Sequence, residues 1–176
     1  MNPSDYISRW RHTRGYGVHS PIAYRIVRDC ICPDSRYGFY SDAFIDYEFR
    51  NDRKKCRYAR MLIRLVNLLN PRRAWIPGCD SRIKTALSLS FPKLLLATHK
   101  ECPKGVEMIV DFGGNKLQSL WNKFEPLSEC ELVSFSEFNS DEISEMNNAP
   151  SLILEGRDYT ILLRRRGMDS ISYTLL

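Results

Sequence analysis

At two places in this 176-residue chain a short apolar run leads into a turn that carries glycine and an aspartate and then a stretch of helical spacing. The first is Ala74-Trp75-Ile76-Pro77-Gly78-Cys79-Asp80-Ser81-Arg82, where an apolar strand would meet a glycine turn and then a helix. Strand, glycine turn and helix N-terminus together present unpaired backbone N–H groups to an anion or a nucleotide. A dinucleotide-type turn uses several glycines so that backbone and ligand approach closely. Here Gly78 stands alone, and Asp80 and Arg82 occupy the approach. The second place is Asp111-Phe112-Gly113-Gly114-Asn115. Asp111 would end a central strand, on the side where open α/β sheets bind ligands. It is the candidate for a catalytic or metal-binding carboxylate; the competing reading is a turn aspartate that bonds backbone ahead of Gly113.

The other reactive groups are scattered. Cys79 lies in the first turn with no base at a suitable spacing. Glu137 would accompany Asp111 around a metal, but two ligands do not complete a site, and no metal is expected. His12 and His99 lack convincing partners, and His19 precedes Ser20-Pro21, a pair suited to starting a helix. Cys30 and Cys32 are the only close pair among six cysteines, without the companion Cys or His pair of a zinc site.

These groups depend on the elements around them. Residues 55–69 predict the clearest helix, with Tyr58, Met61, Leu62, Leu65, Leu68 and Leu69 recurring at three and four before Asn70-Pro71 stops it. Arg57, Arg60 and Arg64 line its opposite face, which reads as solvated surface, with nucleic-acid contact as the competing reading. A helix is expected after Pro21. Residues 37–49 are rich in aromatics without a clean period and read as a cover segment. Strands are predicted over 74–76, 94–98, 106–110 and 132–135, and helices over 83–89, 117–124 and 139–146. Three further strands follow, over 151–154, 159–163 and 171–176. Arg164-Arg165-Arg166 reads as a solvated turn. Alternating strands and helices followed by strands alone predict an α/β fold, a mostly parallel sheet with antiparallel C-terminal strands.

Net charge is +5, mildly basic, which allows nucleic acid or an anionic ligand without requiring either. The N-terminus has no apolar signal region and the apolar runs are too short to span a bilayer, so no membrane is expected. Scattered cysteines without a C-x-x-C then suggest free thiols and a cytoplasmic location.

With Gly17-Val18-His19-Ser20-Pro21 ahead of the strand and turn that carry Gly78, the chain resembles a divergent, shortened class I S-adenosylmethionine-dependent methyltransferase of the bacterial kind that bears this N-terminal element. The resemblance implies a cover segment over 1–54 and a Rossmann-like domain over 55–176. It places the cofactor site at Gly78, Cys79 and Asp80 after the first strand and at His99 after the second, with Asp111 as the catalytic position. Several positions depart from the family. Ile76-Pro77 replaces an acid before the glycine, and Arg82 would point into the volume of the cofactor's methionine end. The second strand ends in Ala97-Thr98-His99 rather than in the acid that holds the ribose. Only residues 100–105 stand where the family has a helix, an edge strand and an adenine-contacting loop.

The expectation is a methyltransferase-like protein with a degraded S-adenosylmethionine site, non-catalytic and acting by binding a small molecule or a protein. One alternative is an active methyltransferase with an open cofactor site. Another is a nucleic-acid-binding domain using the arginines and aromatics around Trp10, Arg11, Arg14 and Tyr16.

Overall fold

The structure, a computed structural model, describes residues 11, 17–32, 40–113, 115–125, 128–136, 143, 146 and 148–175. Of the expected helix over 139–146 only Ile143 and Met146 are among them, and Glu137 and His12 lie outside.

The Ser20 hydroxyl accepts from the Ala23 N–H at 3.4 Å and Pro21 occupies the first turn of α1 (Pro21–Arg25). The chain then widens into a π-helical stretch, Ile26–Ile31, that buries Ile26, Val27 and Cys30. The cover segment contains a second helix, α2 (Tyr40–Glu48). Ile45 and Phe49, four apart, are buried, while Tyr47 is exposed. α3 (Arg53–Leu69) begins ahead of the expected boundary because Asp52 caps it, accepting from the Lys55 N–H at 2.9 Å. Asn70 ends it in the left-handed conformation, φ 51°.

Seven strands form one sheet: β1 (Arg73–Trp75), β2 (Leu95–Ala97), β3 (Met108–Asp111), β4 (Cys130–Ser134), β5 (Leu152–Glu155), β6 (Thr160–Arg164) and β7 (Ile171–Thr174). Their order is β2-β1-β3-β4-β6-β5-β7. α4 (Ser81–Ser90) follows β1, and α5 (Leu117–Trp121) follows β3. β2, β1, β3 and β4 are parallel neighbours, as expected. Among the C-terminal strands the expectation needs correction. β6 alone runs antiparallel, to both β4 and β5, whereas β5 and β7 are parallel to each other. A tight turn joins β5 to β6, with the Gly156 N–H on the Tyr159 carbonyl at 2.9 Å, and the chain then passes β5 to lay β7 on its far side.

Alternation along the strands divides the core between the two faces. Met108, Val110, Val133, Ile161 and Leu163 pack with residues of α1 to α4. Ile109, Leu132 and Leu162 face the other way, against Leu117, Leu120 and Trp121 of α5. The link from β2 to β3, residues 98–107, crosses β1 without a helix. On that face Trp75 is buried and its Nε1–H donates to the His99 carbonyl at 2.8 Å. No helix among the described residues is long and apolar enough to cross a membrane.

Candidate functional site

The chain leaves β1 at Trp75 toward β2 and reaches β3 by crossing back, so β1 and β3 flank the point where strand order reverses. Ligands of open α/β sheets bind at that point, beyond the C-terminal strand ends. Residues 76–82, 111–113 and 115 meet the description.

Gly78 has φ +64°, and a Cβ added there would meet nothing within 4 Å. It serves the turn and leaves the approach open on its own account. Asp80 is the N-cap of α4 and takes the place an anionic ligand would have at that helix N-terminus. Its Oδ1 accepts from the Arg82 backbone N–H and Nε–H, both at 3.0 Å, and its Oδ2 accepts from Nη2–H at 2.6 Å. Arg82 is therefore not a side chain projecting freely over the turn. Its Nη1–H donates to the Glu48 carbonyl at 2.9 Å, and its guanidinium lies over the Phe49 ring. The hydrogen bond from Arg82 holds the Asp80 carboxyl below its ordinary pKa. This fork, charge and ring contact ties the end of α2 to the first turn of α4, beside the turn that the resemblance assigns to the cofactor.

Asp111 is buried at the end of β3. Its Oδ2 accepts from the Gly113 N–H at 3.0 Å and its Oδ1 from Asn115 Nδ2–H at 2.7 Å, the bonding of a turn aspartate. Beside it three aromatic rings stack from β3 to α3. Phe112 lies 5.0 Å from Phe135, and Phe135 lies 4.3 Å from Tyr58. The Tyr58 hydroxyl donates to the Asp158 carbonyl at 3.1 Å.

The other candidates do not join this region into a reactive set. Cys79 donates its S–H to the Asp80 carbonyl, and burial, reinforced by Asp80, pushes its thiol up to about 11. Such a thiol is protonated at neutral pH and is not an activated nucleophile. Burial also pushes Cys30 and Cys130 up to about 12. The His99 side chain is exposed, and its backbone carbonyl holds Trp75. The His19 and Ser20 backbone N–H groups donate to the Tyr173 hydroxyl at 3.1 and 3.4 Å. This anchors the Gly17–Pro21 element to β7, at the far edge of the sheet from β1. No group of three or more His, Cys, Asp or Glu among the described residues is placed to hold a metal.

Two concave regions lie elsewhere. One, of about 570 Å³, is lined by Arg72, Glu107, Glu129, Glu131 and Arg165 among others. The other, of about 550 Å³, runs along α3 and is lined by five arginines. Sequence alone assigns the α3 arginines to open surface. Their spacing is visible there, but the wall that faces them comes from the π-helical stretch and α2, whose packing no local pattern reveals. Neither region is lined by Gly78, Cys79, Asp80, His99 or Asp111. Comparison with protein-family models, curated proteins and solved structures returns no match.

Proposed function

We propose that this chain is a methyltransferase-like protein whose S-adenosylmethionine site is degraded and which acts by binding. The observation that carries the reading is the Asp80–Arg82 fork closed onto Glu48 and Phe49. The α/β sheet with ligand-type turns at the ends of β1 and β3 supports the kinship. Support for the degradation comes from three features. The helix N-terminus is already capped by a carboxylate of the chain. The end of β2 offers His99 where a ribose-binding acid would stand. The link over 98–107 is too short to supply an adenine wall. In an active enzyme Asp111 would stand nearest the chemistry, yet each of its oxygens already accepts a bond.

Calorimetric titration with S-adenosylmethionine and S-adenosylhomocysteine tests the proposal. A dissociation constant of about 1 mM, near 4 kcal/mol, or no heat is expected; micromolar binding, near 8 kcal/mol, would overturn it and favour the active-enzyme reading. Arg82→Ala keeps the Asp80 cap and removes the fork. Binding gained in that variant assigns the defect to the turn, and none gained assigns it to the missing adenine wall.

A further inference from the structure

The face of α3 directed away from the sheet forms one wall of the arginine groove, and Ile31, Asp46, Phe49 and Arg50 form the other. Arg53, Arg57, Arg60 and Arg64 fall four, three and four apart, so they align along three turns of one helix face, about 16 Å. Arg50 adds a fifth positive charge. Asp46 is the single acid of the lining, and it pairs with Arg60. Arg57 pairs with Asp158 at the edge. Arg50, Arg53 and Arg64 have no acidic partner among the described residues, and Arg50 lies over the Tyr47 ring at 5.4 Å.

Two further donors on these arginines are unsatisfied. The Nε–H of Arg60 and the Nε–H of Arg64 are both shielded from solvent with no hydrogen-bond partner. Unpaired buried donors on cations are costly, and so is the mutual repulsion of neighbouring arginines, three of which have no acidic partner among the described residues. An oxyanion in the groove relieves that repulsion.

The layout selects among anions. A single phosphate needs one nest of donors, whereas these cations form a line, which suits a polymer of repeating charge. Guanidinium forks match phosphate oxygens in pairs. At the end held by Arg50, the Tyr47 ring is 67% exposed, a surface on which a base can stack. A duplex presents a convex backbone that does not enter a groove between helices. We infer that the groove binds the phosphate backbone of a single-stranded nucleic acid, with a base stacked on Tyr47. The inference does not rest on the cofactor reading: none of Gly78, Cys79, Asp80, Arg82, His99 and Asp111 lines the groove, although Phe49, the ring under Arg82, does.

Fluorescence anisotropy with a labelled single-stranded oligonucleotide of about 15 nucleotides, across a salt series, provides the test. Arg53→Glu combined with Arg64→Ala should weaken binding by about tenfold or more and lower the slope of log affinity against log salt by about 0.7 for each phosphate no longer neutralised. The pair Lys93→Glu with Lys100→Ala makes the same charge change on the exposed surface elsewhere and should leave most of the affinity intact. Arg53 is exposed, so Arg53→Glu alone carries the test should the double variant fail to fold. Tyr47→Ala should weaken the oligonucleotide but not tripolyphosphate used as competitor. Four outcomes would each overturn the inference: no anisotropy rise at low salt, equal weakening in the lysine pair, equal affinity for a duplex of the same length, or displacement by tripolyphosphate at matched phosphate concentration.

Discussion

The Arg82 guanidinium lies 4.4 Å from the centre of the Phe49 ring. Because Asp80 takes up its charge and Glu48 supplies a carbonyl to its Nη1–H, Arg82 joins α2 to the first turn of α4. One side chain thus links the end of α2 to the helix that follows β1.

Asp80 has two separable roles in that junction, cap and counter-ion. Asp80→Ala removes both and should cost about 1 kcal/mol for the cap alone, measured by urea denaturation. Asp80→Asn retains a capping oxygen and loses the charge, so it should cost less at neutral pH. The pH dependence follows from the lowered carboxyl pKa. The unfolded group titrates near 3.8 and the folded one below it. Its contribution is therefore present above the unfolded value and lost as pH falls through the folded value. Asp80→Asn should flatten the acid limb of the stability profile, and an unchanged limb would show that the fork contributes nothing.

Glu131 should produce a slope of opposite sign. Its side chain is 5% exposed, paired with Arg165 through Oε1, and its Oε2 has no partner. Burial outweighs the Arg165 charge and lifts its pKa from 4.5 to about 7. Between those values the folded protein holds a proton that the unfolded chain has released, so stability falls as pH rises through that window and levels above it. The loss should be on the order of 3 kcal/mol. Glu131→Gln cannot titrate and should remove this slope in denaturation midpoints taken across the window.

The hairpin between β5 and β6 makes a third case. A Cβ on Gly156 would lie 2.2 Å from the Tyr159 ring, which is buried. Gly156→Ala must displace that ring and should destabilise by about 1–3 kcal/mol. Tyr159→Phe should not destabilise, because the Tyr159 hydroxyl is buried with no hydrogen-bond partner. A large loss from Tyr159→Phe in thermal melts would reveal a partner for that hydroxyl.

These cases mark where the sequence is readable. α3 is legible because Tyr58, Leu62 and Leu65 repeat along one face, and β3 and β4 because residues buried on both faces make short continuous apolar runs. α2 is not, since exposed Tyr47 and part-buried Phe44 blur the face made by Ile45 and Phe49. The π-helical stretch closes with the Cys32 N–H on the Val27 carbonyl at 2.8 Å, a ring size that composition does not specify. Strand direction in the tail lies beyond alternation, which is the same for parallel and antiparallel neighbours. At the candidate site, Gly78 and the turn bonding of Asp111 follow from local chemistry. The fastening of Arg82 depends on Glu48 and Phe49, distant in sequence, and no spacing announces it.

The helix-free link between β2 and β3 leads to the last prediction. Without a helix there the face of β1 opposite α3 needs another cover, and Trp75 supplies one. Its ring is 3% exposed and packs in the cluster that includes Val106, Leu117 and Trp121. Lys123 Nζ lies 5.5 Å from the ring centre, and the indole N–H holds the His99 carbonyl. If the ring is the main cover of this face, Trp75→Ala should cost about 3–5 kcal/mol. Trp75→Phe keeps most of the apolar area and loses the donor, so it should cost only about 1 kcal/mol. Hydrogen exchange distinguishes the two roles of the side chain. Trp75→Phe should raise exchange in residues 98–107 while β3 and β4 stay protected, whereas Trp75→Ala should expose all three. A cost below about 1 kcal/mol for Trp75→Ala would show that the short link covers this face without the indole.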